Sequence, residues 1–294
     1  MAETLMHSGG NDLTALQRAD YAERGYHFPR RAFSAARAAE LRRKFDGYWA
    51  DNREELLAQL PRERYLALVD THFFLRWVYE IAAHPSILDA VESVLGPDIL
   101  LWNTHWFPKF ARDASYVSWH QDVAYWGLTP PNVTTAWVAL STSNRANGCL
   151  RVISGTHLGR IRPHAETYAE ANMLSRGQEI AVDPDESGKV DIELRPGEFS
   201  LHHVGIVHGS GPNDSDDARI GLAIRYISPD VIQQGGRRDL VMQLRGTDAF
   251  DHFDNVDPPE RDIPRGESAV HAESIRRKAE NQSLGRRSAV VEAD

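Results

Sequence analysis

The sequence predicts a mainly β protein, a β-sandwich or jelly-roll barrel with helices packed on its outside. Three observations carry this. From Asp98 to Ile227 the chain breaks into short β-rich runs punctuated by Gly, Pro, Asn and Asp. The strong helical patterns precede that stretch and do not alternate with the runs, which argues against a parallel α/β order. Hydrophobic residues make up 41% of the 294, enough for a sizeable core.

Taken in order, Asp12 to Glu23 reads as a short helix with Asp12 as N-cap and Gly25 as terminator. A short extended piece, Tyr26 to Pro29, follows. Ser34 to Leu57 is an Ala-rich helix with Phe33, Ala36, Leu41, Phe45 and Trp49 roughly in phase and charges between them. Ser86 to Leu95 is another, with Ile87, Val91 and Leu95 at four-residue spacing and Gly96-Pro97 as its stop. The expected strands are Ile99 to Phe110, Tyr116 to Trp119, Thr134 to Leu140, Leu150 to Ser154, Ile180 to Val182, Val190 to Leu194, Phe199 to His203 and Ile220 to Ile227. Beyond them, Phe250 to Pro264 reads as an ordered wrapping loop, and Ser268 to Asn281 as a helix before a frayed end. No internal repeat interrupts this order. The organisation expected is one domain over 1–294: a helical part 12–97, a jelly-roll core 98–230, and a C-terminal wrapping loop and tail 231–294.

Composition narrows the function classes. No apolar run approaches the ~20 residues that span a bilayer. Met1 to Asn11 shows no secretory pattern, so a cytoplasmic protein is expected. The single cysteine, Cys149, excludes an internal disulfide framework and a Cys-rich zinc site. A net charge of −9 opposes non-specific attraction to nucleic acid or anionic lipid, so the expected partner is a small molecule. The sequence sets no oligomeric state.

The most informative stretch is Trp119-His120-Gln121-Asp122. In a strand, residues i and i+2 share a face, so His120 and Asp122 can stand side by side. A histidine from a distant strand would complete a two-histidine, one-carboxylate triad. Such a triad leaves three coordination positions open, which suits Fe(II) that must hold a cosubstrate and O2 together. By residue type, His202, His203 and His208 are all candidates for the distant ligand. A cosubstrate carboxylate calls for the bidentate fork of an arginine. Arg219 and Arg225 share a parity, so either can serve; the alternative for each is a surface salt bridge to one of the 42 acidic residues.

The chain resembles the phytanoyl-CoA dioxygenase-like family of Fe(II)/2-oxoglutarate oxygenases. The likeness runs from about Leu13 to Ile227 and rests on separate motifs in order: Glu23-Arg-Gly-Tyr26, Trp119-His-Gln-Asp122, Asn147-Gly-Cys-Leu-Arg-Val-Ile-Ser-Gly-Thr-His157, and His208-Gly-Ser-Gly-Pro-Asn-Asp-Ser215 followed by Arg219. It implies a double-stranded β-helix, the jelly-roll or cupin-like barrel. It also implies Fe(II), 2-oxoglutarate and O2 as cofactors, with His120, Asp122 and His208 as iron ligands. Arg219 and Ser210 would bind the cosubstrate, with Trp137 close to it. Asn103 and Lys109 would line the pocket from the preceding strand. Gln121 lies near the metal, and Tyr125 and Trp126 form a pocket wall for the substrate or, equally, ordinary core or lid packing. His157 is structural. Halogenating relatives have Ala or Gly where Asp122 stands, so the resemblance implies hydroxylation of a C–H bond with release of succinate and CO2. The substrate expected is a small polar metabolite or a natural-product intermediate. Two other readings stand beside this one: a metal-dependent hydrolase or isomerase on the same triad, and a non-catalytic metal-binding or sensor protein on the same barrel.

Overall fold

A computed structural model describes residues 10–58, 67–181 and 185–291. Helix α1, Ala15–Arg24, starts later than Asp12 because Thr14 makes the better cap. The Thr14 hydroxyl accepts from Gln17 N while the Gln17 side chain accepts from Thr14 N, a reciprocal capping box. Gly25, at φ 83°, ends the helix in the left-handed region, as its position predicts. In α2, Ala35–Ala58, the buried stripe is Ala38, Leu41 and Phe45, and Ala36 faces solvent. A helix the sequence reading missed, α3 at Arg76–Ala82, buries Trp77, Val78, Ile81 and Ala82. Helix α4 spans Pro85–Leu95, opening on a proline at its first turn.

The strands that matter here are β1 Tyr26–Arg31, β2 Ile99–Trp106, β3 Val117–His120, β4 Leu128–Thr129, β5 Val133–Ala139, β6 Leu150–Ile153, β7 His164–Glu166, β8 Gln178–Ile180, β9 Lys189–Ile192, β10 Glu198–His203, β11 Val207–Ser210, β12 Gly221–Ile227, β13 Ile232–Gln233, β14 Leu240–Arg245 and β15 Asp254–Asn255. Of the run expected at Ile180 to Val182, Val182 lies outside the described residues. A short helix α5, Val123–Trp126, follows β3, and α6, Ala269–Val291, closes the described chain. No described helix is long and apolar enough to cross a membrane.

A seven-stranded sheet, in the order β1-β10-β5-β12-β2-β14-β15, faces a four-stranded sheet in the order β3-β11-β6-β9. This is the mainly β jelly roll the sequence predicts. Period-2 alternation divides the large sheet into two faces. Leu222, Ile224 and Tyr226 of β12 pack with Trp106, Val138 and the helical residues Leu41, Phe45, Trp77 and Ile87. Ala223 and Trp137, on the other face, pack with Val117, Val152 and Ile206 of the smaller sheet and its loops. Functional side chains of β12 on that second face therefore point between the sheets.

Candidate functional site

Strands β3 and β11 are antiparallel neighbours, with His120 directly opposite His208 and their rings 4.1 Å apart. Each imidazole is held the same way. His120 Nδ1 lies 2.9 Å from Ser118 O, and His208 Nδ1 lies 3.0 Å from Ile206 O. A carbonyl can only accept, so Nδ1 carries a proton in both rings, and Nε2 is the nitrogen each ring turns to the Asp122 carboxylate and would offer a metal.

Asp122 reaches the same place by a route the i/i+2 argument did not foresee. Strand β3 ends at His120, and Asp122 adopts helical angles, φ −58° and ψ −37°, at the start of α5. Its carboxylate turns back so that Oδ1 is 3.3 Å from His120 Nε2 and Oδ2 is 3.7 Å from His208 Nε2. That Oδ2 is buried and accepts no hydrogen bond. All three side chains are buried, and their ligand atoms lie within 4.8 Å of one another.

Burial alone would raise the Asp122 carboxyl. The two imidazoles and Arg225 outweigh it and hold the group well below the usual carboxylate range. Burial, helped by His120, pushes His208 down to about 4. The donor set of two imidazole Nε2 atoms and one ionised carboxylate fits a divalent metal ion, and the orphaned Oδ2 is the atom such an ion would satisfy. Of the other two candidates for the distant histidine, His202 lies alongside, its ring 4.9 Å from that of His208, and His203 turns away to the His157 ring at 5.1 Å. His157 is structural, as expected, its Nε2 lying 3.0 Å from Ala22 O.

A cavity of about 430 Å³, solvent at its mouth included, opens between the sheets beside this cluster. His120, His208, Trp137, Ser210, Arg219 and Arg225 are among its walls, so the parity argument for the two arginines holds. Arg219 is 1% exposed, its guanidinium 5.2 Å from the Trp137 ring centroid and its Nη2 donating to Phe107 O. Its Nε is buried without a partner. Backbone bonds of 2.9 and 2.8 Å tie Arg219 to Lys109, itself fully buried. Lys109 Nζ donates to Ser210 Oγ at 2.7 Å and to Gly211 O. Burial, with Arg219 beside it, pushes Lys109 down to about 6; burial lowers Arg219 only to about 10, which leaves it charged. Among the described residues no carboxylate forms an ion pair with either group. A charged arginine buried without a counter-charge is costly, so this end of the cavity is built for an anion.

Other expected pocket residues lie elsewhere. Asn103 is engaged by Arg225 and Asp70: its Oδ1 accepts from Arg225 Nη1 at 2.6 Å, and its Nδ2 donates to Asp70 Oδ1 at 2.7 Å. Gln121 is 1% exposed with both ends of its amide committed, Nε2 donating to Gly205 O and Oε1 accepting from Arg162 N, each at 2.8 Å. It clamps two loops and does not line the cavity. Tyr125 sets its ring edge-on to His164 at 5.1 Å, and Trp126 packs 5.1 Å from Trp102 under the Arg225 guanidinium. Neither is among the walls of this cavity. The sequence reading gave no role to Thr135, which lines the cavity. The available signal was its place two residues before Trp137, hence on the same strand face.

Two buried imidazoles and a carboxylate between the sheets of a jelly roll, next to an arginine-lined anion pocket, define a class: barrel proteins with an open two-histidine, one-carboxylate centre. The phytanoyl-CoA dioxygenase (PhyH) family profile matches residues 21–221, and the chain belongs to that family. Among its relatives, the peroxisomal phytanoyl-CoA dioxygenase of Rattus norvegicus is 30% identical over 175 residues, 58% of this chain and 52% of the relative. The probable alpha-ketoglutarate-dependent hypophosphite dioxygenase of Stutzerimonas stutzeri is 28% identical over 231 residues, 74% of this chain and 80% of the relative. The apo structure of the non-heme monooxygenase ThoJ superposes with a TM-score of 0.80 at 33% identity, covering 92% of this chain and 99% of that one. The match to several phytanoyl-CoA dioxygenases spans about half their length.

Proposed function

We propose that the protein is an Fe(II)- and 2-oxoglutarate-dependent dioxygenase that hydroxylates a C–H bond of a small polar metabolite or natural-product intermediate. His120, Asp122 and His208 would hold the iron. Arg219 would hold the far carboxylate of 2-oxoglutarate, with Ser210 and Lys109 as further donors and Trp137 fixing the plane of the guanidinium. Bound iron and 2-oxoglutarate would supply O2 activation coupled to oxidative decarboxylation, giving succinate and CO2.

The observation that carries this reading is one cavity with two halves. An orphaned, ionised Asp122 oxygen faces two imidazole Nε2 atoms, and those two rings and a buried arginine without a counter-charge line the same space. The names of the relatives support it, since one is a phytanoyl-CoA dioxygenase and another a probable alpha-ketoglutarate-dependent dioxygenase. A hydrolytic metal site would leave the Arg219 half without a ligand. The protein's residues then have three tasks: to fix three donors in one place, to orient the cosubstrate by its carboxylate, and to exclude bulk water from the space between the sheets.

Anaerobic titration with Fe(II) and 2-oxoglutarate tests this. The wild type should develop the visible metal-to-ligand charge-transfer band of a chelated 2-oxo acid and release succinate when O2 is admitted. His120→Ala and His208→Ala should lose both while remaining folded. A band that survives in His208→Ala and vanishes in His202→Ala would refute the choice of distant ligand, and no band in the wild type would refute the function.

A further inference from the structure

Arg225 is left over from that assignment, and its surroundings give it a different task. We propose that Arg225, with Thr135 and His202, is a second anion site in the same cavity, and that the substrate is a small molecule carrying a carboxylate or phosphonate that binds there beside the metal centre. This rests on the dioxygenase reading and adds the substrate class to it.

The three residues form a row across three adjacent strands. In register, Arg225 of β12 stands opposite Thr135 of β5, which stands opposite His202 of β10. All three line the cavity. Each of the three also has a buried polar atom with no hydrogen-bond partner: Arg225 Nε, Thr135 Oγ1 and His202 Nδ1. An unmade bond at a buried polar atom is costly, so three such atoms in one row are not a product of packing alone. They are what a polar ligand would satisfy.

Charge identifies the sign of that ligand. Arg225 is 8% exposed, yet no described carboxylate forms an ion pair with it. The acids nearest in its network are already engaged. Asp70 pairs with Lys278 at 2.5 Å, and Asp122 belongs to the metal centre. With iron, Asp122, 2-oxoglutarate and Arg219 in place, the formal charges of that group cancel and the Arg225 charge remains. A substrate anion would neutralise it.

The guanidinium is also held in one pose. Trp126 lies under it at 5.0 Å, and Asn103 Oδ1, oriented by Asp70, accepts from Nη1. A fork fixed in this way suits the paired oxygens of a carboxylate or phosphonate, with the Thr135 hydroxyl as a further donor. Arg219 lies six residues earlier, ahead of the start of β12 and roughly 20 Å away along the backbone at an extended rise, so the two arginines serve different ends of the cavity. His202 adjoins the His208 ring, so a group bound on the row sits next to the metal centre.

Calorimetric titration of the anaerobic Fe(II)·2-oxoglutarate enzyme tests the proposal, with propionate and methylphosphonate as probes and propionamide as the neutral control. Saturating 2-oxoglutarate keeps the probes off the Arg219 end. Either anion should bind at least about tenfold tighter than propionamide, a gap of roughly 1.4 kcal/mol. Arg225→Gln should erase that preference and leave the 2-oxoglutarate midpoint of the charge-transfer band within about threefold of wild type. Thr135→Val, which removes an unpartnered hydroxyl and so tests the row without removing a charge, should weaken the anions several-fold. Equal binding of propionate, methylphosphonate and propionamide, or a preference that survives Arg225→Gln, would overturn the proposal. So would a 2-oxoglutarate midpoint in Arg225→Gln displaced as far as in Arg219→Gln, because Arg225 would then belong to the cosubstrate. Absence of the band in the wild type is a separate result that strikes the dioxygenase reading.

Discussion

Arg219 sits where a charge is expensive to keep. It is 1% exposed, and its compensation is a carbonyl, a ring face and the backbone of Lys109. None of these neutralises it, which is why the residue reads as a receptor for an anion and not as a structural ion pair. Removing such a group from a buried charged contact costs roughly 2–5 kcal/mol of binding. Arg219→Ala should therefore raise the 2-oxoglutarate concentration needed for half-maximal charge-transfer absorbance by one to several orders of magnitude, and Arg225→Ala should not. The reverse pattern would exchange the two roles. Sequence parity put both arginines on one face, and the structure keeps both in one cavity. What parity could not show is the company each keeps, because that comes from Asn103, Trp126 and Lys109, which are distant in the chain.

At the level of elements, the ligand motif was legible and its geometry was not. The H-x-D pair was read as two positions on one strand face, yet the strand stops at His120 and a helical turn delivers Asp122. Both arrangements put the side chains together, so the motif survives the error. Strand β11 is only four residues, Val-His-Gly-Ser, too short for alternation to stand out. Helix α3, at seven residues, escaped for the same reason. Close approach between elements was equally hidden. Gly221 opens β12 where a Cβ would lie 2.0 Å from Trp137 Cζ2 and 2.4 Å from its Cη2. Trp137 is 4% exposed and carries the Arg219 guanidinium, so it has little room to move. Gly221→Ala should destabilise the fold by about 1–3 kcal/mol through overpacking and weaken 2-oxoglutarate binding as the indole shifts. Urea unfolding and the charge-transfer midpoint read the two effects separately. If neither moves, the contact does not position Trp137.

At the scale of the whole molecule, the C-terminal segment is part of the core. Phe253, in the stretch expected to wrap, is 1% exposed and packs with Leu100, Trp102 and Ile227, while the other aromatic there, Phe250, faces solvent. Helix α6 is anchored by Asp70, which is fully buried and accepts from Lys278 Nζ at 2.5 Å, Ser274 Oγ at 2.8 Å and Asn103 Nδ2 at 2.7 Å. Since Asn103 also holds Arg225, one polar chain runs from the C-terminal helix to the cavity wall. Composition showed a charged tail, but nothing local to it identified a partner some 200 residues earlier.

The anchor makes a prediction about acid. Burial alone would raise the Asp70 carboxyl, but the Lys278 ammonium and the hydrogen bonds from Lys278 and Ser274 outweigh it and hold the group below its ordinary 3.8. A carboxyl with a depressed folded value stabilises the fold above its unfolded value, and that contribution is lost as pH falls through the folded value. Asp70→Asn should therefore be less stable than wild type at pH 7, by about 3–5 kcal/mol if the unpaired Lys278 stays buried. The gap should shrink as pH falls below about 4, where only the wild type has a carboxylate to lose. Urea unfolding of the two proteins across that range measures it. A gap that stays constant with pH would mean that packing, and not the charge of Asp70, holds the C-terminal helix to the core.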